Sequence, residues 1–293
     1  MSGPAYMVLS AFAFSWMTVF VKLSGRRLPW HEIVFARAFV TLGLSYLSVR
    51  AAGVPVFGKH KKLLIVRGIF GFLGLSSVYY AVTHLPLAEA TVLQYMYPPL
   101  TVLLASVALG EPVDKGVVGS MAISLVGLLL VAQPSMLFGQ AAVPLDGLGL
   151  LAACLGALFS ACAYVTVRTL GQGEHPMVIV LYFPLVALPG SLLTMAPNSL
   201  MPEGVEWLWL VLLGIATQVG QVAITRGLSS DAAGRMAAYS YVQVPFAGLW
   251  GIWLFNEKPS ALSLAGAFLI ITAALLNLRA ATRRNKTREI ELA

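Results

Sequence analysis

Charge is the scarcest property of this sequence. Asp, Glu, Lys and Arg make up 11% of its 293 residues, where a water-soluble domain carries about 25%. Apolar residues make up 58% and mean hydropathy is +0.83, so the solvent for most of its surface is lipid. Cysteine is nearly absent as well. Cys154 and Cys162 stand eight residues apart in one expected helix, about 12 Å along its axis, which is too far for a bridge. No Cys or His spacing suits a metal ion. No Lys or Arg precedes the first apolar run, and Lys22 follows it. That is the reverse of a secretory leader, so Tyr6–Leu23 reads as a retained first span.

The absences extend to chemistry. No HExxH or GxSxG pattern occurs, and His31, His60, His84 and His175 all fall near the ends of apolar runs. An intramembrane enzyme would need a catalytic constellation inside lipid, so no enzymatic role and no cofactor is expected. A channel would need a carbonyl or charge ring, and no filter-like loop is present. The formal net charge of +7 raises nucleic acid as a partner. The basic residues, however, concentrate in Arg50–Lys62 and Arg279–Glu289, as charges flanking a membrane do. No nucleic-acid partner is expected.

What is present is a series of apolar runs of spanning length. A spanning helix needs about 20 residues, and ten runs qualify: 4–23, 31–50, 63–82, 88–109, 116–133, 147–169, 177–196, 205–225, 231–254 and 260–279. The expected fold is therefore all-α and integral to the membrane. With the N-terminus inside, the cytoplasmic side receives Arg50, Lys59, Lys61, Lys62, Lys115, Arg168, Arg226, Arg279, Arg283, Arg284, Lys286 and Arg288. The outer side receives Arg26, Arg27 and Lys258. The excess of cations on the inside places both termini in the cytoplasm of a bacterial-type plasma membrane.

The chain also repeats itself. An offset of 146 lays Tyr95 on Tyr241, Pro99 on Pro245, Leu103 on Leu249 and Glu111 on Glu257. With one more residue, Gly119 falls on Gly266 and Ile123 on Ile270. Two units follow, 1–135 and 146–280, each with five spans, ahead of a basic tail at 281–293. Five is odd, so the second unit enters the membrane from the opposite side. Inverted repeats of this kind place a binding site near the midplane between the halves.

Two five-helix repeats, each with a proline in its fourth span and then Gly110-Glu111-Pro112 or Asn256-Glu257-Lys258-Pro259, resemble the drug/metabolite transporter superfamily. Within it, the pattern is similar to ten-helix EamA-type exporters, among them bacterial exporters of amino acids, including aromatic ones. The resemblance implies a basket in which spans 1, 3, 4, 6, 8 and 9 surround a central cavity, with spans 5 and 10 peripheral.

A proline inside a helix releases the carbonyl four residues back. Pro98 frees that of Gln94, Pro99 that of Tyr95 and Pro245 that of Tyr241. These prolines are expected hinges, and the freed carbonyls must face protein, water or a ligand. Polar side chains at lipid depth point inward. Trp16, Gln94, Tyr95, Tyr97, Gln218, Tyr239, Tyr241 and Gln243 are accordingly the expected substrate contacts. They are planar, neutral and amphipathic, and suit a zwitterion with an apolar or aromatic body. All twelve acids sit at span ends, in loops or in the tail, and Lys22 and Arg37 are expected to snorkel to the outer surface. Carriers of nucleotide-linked sugars or drug cations would need deep Lys/Arg or Asp/Glu respectively, and none is expected here. The implied partners are a small-molecule substrate and the bilayer; monomer and homodimer both remain open.

Overall fold

The computed structural model describes residues 1–138, 145–194 and 200–292. The sequence elements expected at 139–144, 195–199 and Ala293 lie outside the described residues. The first half contains α1 (Gly3–Ser24), α2 (Trp30–Ala51), α3 (Lys61–His84), α4 (Leu87–Gln94), α5 (Tyr97–Leu109) and α6 (Lys115–Ala132). The short α7 (Ser135–Phe138) leads toward the second half. There follow α8 (Gly147–Leu170), α9 (Pro176–Thr194), α10 (Glu206–Ser230), α11 (Ala233–Ala238), α12 (Gln243–Phe255) and α13 (Ala261–Leu292). Nine stretches among the described residues are long and apolar enough to cross a bilayer, with α4 and α5 counted together. The tenth, Ala233–Phe255, is divided among α11, a 3-10 turn over Tyr239–Val242 and α12. The fold is all-α, with ten spans in two inverted five-span repeats.

Local chemistry sets the ends of these helices. The Asp114 carboxylate accepts from the Gly116 N–H at 2.8 Å and Asp146 from the Gly149 N–H at 2.7 Å, satisfying donors that a helix start leaves open. The proline-bearing spans stop alike. Gly110 has φ +65° and Asn256 φ +56°, and the next N–H, of Glu111 or Glu257, bonds back to Ala105 or Gly251. That is a left-handed helix stop with a six-residue return bond. The repeated motif is thereby explained in part: a Gly or Asn that tolerates positive φ, a glutamate released from the helix, and a proline that prevents its resumption.

Packing between the halves is mirrored. α1 packs on α10 as α3 packs on α8; α1 meets α12 as α8 meets α5. The second spans, α2 and α9, pack on each other, as do the fifth, α6 and α13. Such exchange of equivalent partners is what a two-fold axis between inverted repeats demands. α6 and α13 cross at Gly127 and Gly266, where an added Cβ would stand 2.6 and 2.4 Å from the partner glycine's carbonyl oxygen. Small residues permit such close backbone approach. Outward-facing side chains such as Leu193, Val107, Trp253 and Phe39 are exposed, as a lipid-facing surface requires.

Because successive spans reverse direction, loops alternate between two faces of the bundle. The N-terminal face carries the loops near residues 52–60, 110–114, 171–175 and 231–232. The far face carries those near 25–29, 85–86, 200–205 and 256–260.

Candidate functional site

The prolines do not bend continuous helices. They open new ones. Pro98 lies in the first turn of α5, where a helix needs no N–H, and the chain is broken just before, at Tyr95 and Met96. The 3-10 turn Tyr239–Val242 is the equivalent break ahead of Pro245. The Tyr95 carbonyl, released by Pro99, accepts from the Tyr241 hydroxyl at 2.9 Å. The two rings stack with centroids 5.7 Å apart. The midplane breaks of the two halves are thus tied to each other.

Beside these breaks lies a cavity of about 140 Å³. Its wall draws on both halves: Arg37, Arg67, Gly71 and Gln94 from the first, Ser160, Tyr164, Phe183 and Gln221 from the second. Of the expected substrate contacts, Gln94 lines it directly. Tyr97 meets the cavity wall through Tyr164, with rings 5.0 Å apart and hydroxyls 3.4 Å apart. Gln218, one turn from Gln221, is held from α2 by the Ser45 hydroxyl at 2.8 Å. Tyr95, Tyr239 and Tyr241 are buried in the broken segments. Trp16 packs at a tilt on Trp250 with ring centres 4.3 Å apart, outside the cavity wall, and Gln243 is half-buried at the start of α12.

The cavity corrects one expectation outright. Arg37 does not snorkel: it is 4% exposed, and so is Arg67, which the sequence reading placed among no functional residues. Both stand well inside their helices, about 10 Å and 9 Å from the respective ends. Deep cations are therefore present, contrary to the expectation that none would be found. The guanidiniums lie 5.6 Å (Arg37) and 5.2 Å (Arg67) from the centre of the Phe183 ring. Arg67 Nη2 donates to Gln221 Oε1 at 3.0 Å. Arg37 Nε, Arg67 Nε and Arg67 Nη1 have no hydrogen-bond partner among the described residues, and none of the five ion pairs seen there includes either arginine. A charged side chain inside a spanning helix is costly and usually faces a path or a partner, which makes Arg37 and Arg67 candidates for a functional site. The signal in the sequence was Gly71, one turn beyond Arg67 on the same face: an added Cβ there would stand 2.8 Å from Arg67 Nη1 and 2.7 Å from Phe183.

A charge pair joins the halves on each face. On the N-terminal face Arg168 Nε donates to Glu111 Oε1 at 2.8 Å, with side chains only 19% and 15% exposed. The other Glu111 oxygen accepts from the Ala233 N–H at 2.8 Å. On the far face Lys22 pairs with Glu257, both about half exposed. The 146-residue offset carries Lys22 to Arg168 and Glu111 to Glu257. The two clasps are one interaction seen twice, each joining the halves on its own face. A second mirrored pair accompanies them: Glu32 accepts from the Leu200 N–H on the far face, and Glu174 from the His60 N–H on the N-terminal face. Arg27, in a far-face loop, is held above its ordinary pKa chiefly by its hydrogen bond to Glu206. A cleft of about 870 Å³ opens on the far face beside Glu89, Gln133 and Glu257. Among the described residues no cluster of His, Cys, Asp and Glu could hold a metal ion.

Known proteins resemble this chain in sequence and fold. The EamA-like transporter family matches residues 1–133 and 147–279. The chain is similar to the protein named pseudopaline exporter CntI of Pseudomonas aeruginosa, 35% identical over 276 residues that cover 94% of this chain and 95% of that one. It is similar to human solute carrier family 35 member G1, 28% identical over 295 residues covering 96% and 79% of the two chains. A crystal structure shares the fold with a TM-score of 0.80 at 21% identity, over 97% of this chain and 99% of that one. The chain belongs to the EamA-like transporter family, and it is a multi-pass membrane transporter.

Proposed function

We propose that this protein is a secondary carrier that exports small organic metabolites, amino acids among them, from the cytoplasm by alternating access. The mirrored clasps carry the reading. Each face is closed by a charge pair whose partners come from opposite halves, and the axis that relates the halves exchanges the pairs. Releasing one clasp while keeping the other gives two equivalent open states around one midplane cavity. We read the part-buried Arg168–Glu111 clasp, set against the half-exposed Lys22–Glu257 pair and the cleft beside it, as a state held more tightly on the N-terminal face. The excess of cations on that face's loops supports a cytoplasmic position for it in a bacterial-type inner membrane.

The name of the Pseudomonas relative supports outward movement of a metabolite. The buried arginines disfavour the drug cation that the superfamily also admits, because a cation would meet only like charge at depth. The test is solute exchange in proteoliposomes holding the purified full-length chain, screened over radiolabelled amino acids and other small metabolites. Saturable exchange of at least one solute, abolished when Glu111 and Arg168 are crosslinked through cysteines, is expected. Flat traces for all solutes would overturn the reading.

A further inference from the structure

The carrier reading leaves two features unexplained: why two arginines share one small cavity, and why no acid accompanies them. Arg37 comes from α2 and Arg67 from α3, and both are almost wholly buried. They approach one phenyl ring, that of Phe183. Three of their N–H-bearing nitrogens lack partners among the described residues. Gly71 leaves the space that Arg67 Nη1 and the ring both occupy. The remaining polar groups on the wall, Gln94, Gln221, Ser160 and Tyr164, are neutral.

The geometry points to Arg37 and Arg67 as a paired anion subsite for a compact dicarboxylate. One carboxylate faces each guanidinium, and the short carbon body lies along the Phe183 ring. That such a molecule is also translocated rests on the carrier function proposed above. A planar guanidinium presents its donors in a fork that matches a carboxylate. Two separated cations fit two separated anionic groups better than a single one. A cavity of about 140 Å³ lies below the ~300–1,000 Å³ typical of drug-sized ligands. It suits a compact molecule better than a nucleotide-linked sugar.

The test uses the full-length protein and four probes: succinate, its monomethyl ester, inorganic phosphate and L-leucine. Binding is read from the melting temperature in detergent at matched ionic strength, and transport from counterflow in proteoliposomes. Succinate is expected to raise the melting temperature of the wild type, and phosphate and leucine to leave it unchanged. Arg37→Gln and Arg67→Gln are expected to lose that shift and to lower succinate exchange at least tenfold. Arg67→Lys, which keeps the charge but loses the fork, is expected to retain exchange with a raised KM. Misfolding of the glutamine variants would mimic this loss, so the wild type supplies an independent check. The monomethyl ester, with one anionic group, is expected to compete at least tenfold more weakly than succinate.

Equal competition by the ester overturns the proposal, as does wild-type succinate exchange in Arg37→Gln. Stabilisation by phosphate or leucine but not succinate overturns it too. Arginine-dependent succinate binding without exchange would instead sink the carrier reading and leave the subsite standing. Leucine exchange that ignores both arginines, with no succinate binding, would do the opposite.

Discussion

Tyr241 shows how one side chain can satisfy what a distant proline removes. Pro99 deprives the Tyr95 carbonyl of its helical donor, and the Tyr241 hydroxyl, from the other half of the chain, supplies a replacement at 2.9 Å. A buried acceptor left without a donor costs about 1–3 kcal/mol. Tyr241→Phe is therefore expected to destabilise the purified protein by that amount, read as a lowered melting temperature in detergent. An unchanged melting temperature would show that water or another donor takes over. The proline and the freed carbonyl were legible in the sequence. The identity of the donor was not, because it lies 146 residues away and only the packed fold brings it there. Arg67 was hidden for a different reason: it falls just inside the expected span 63–82, a few residues past the basic cluster that ends at Lys62. Burial, which distinguishes it from them, is a property of tertiary structure.

At the scale of elements, two arrangements make separate demands. The first is the crossing of α6 and α13. A Cβ on Gly266 would stand 2.4 Å from the Gly127 carbonyl oxygen, a backbone atom that cannot swing aside. Gly266→Ala is expected to cost about 1–3 kcal/mol, as overpacking does. Gly119→Ala, where nothing lies within 4 Å, is expected to be neutral or to stabilise α6 by roughly 0.5–1 kcal/mol. Thermal denaturation of both variants separates crowding from a general intolerance of substitution.

The second is the pair of clasps. Removing one member of a buried ion pair costs about 3–5 kcal/mol, whereas an exposed pair contributes about 0–1 kcal/mol. In a background with Cys154 and Cys162 replaced by alanine, Glu111→Gln is expected to raise the maleimide reactivity of an Ala233→Cys probe behind the clasp. Glu257→Gln is expected to leave it nearly unchanged. Equal effects would mean the two faces are not closed by these pairs. The clasps were within reach of the sequence: the offset that aligns Pro99 with Pro245 also aligns Lys22 with Arg168. What the offset alone does not say is that a charge in one half seeks its partner in the other. That follows only from the inverted packing of α8 against α5 and α1 against α12.

For the whole molecule, span number and repeat structure come through in the sequence because lipid enforces them: every backbone polar group must be satisfied within the span, so spanning helices leave long apolar runs. The broken fourth spans are an informative exception. Read as one run each, they resolve into half-helices whose boundaries depend on contacts across the midplane. Orientation is tested by single cysteines at Gly53 and Glu203, in loops on opposite faces. Gly53→Cys is expected to react with an impermeant reagent only from the cytoplasm and Glu203→Cys only from outside. Labelling of both from one side would sink the inverted topology.

The clasps have a consequence for how such a chain can change over time. Were the halves identical subunits, a single substitution would alter the latch on both sides of the membrane together, and neither could be adjusted without the other. Fusion into one polypeptide breaks that bond. Here one latch has kept a lysine in the open and the other an arginine under cover. Inward and outward leakage can therefore be set by separate codons, and a preferred direction of travel can be inherited rather than imposed.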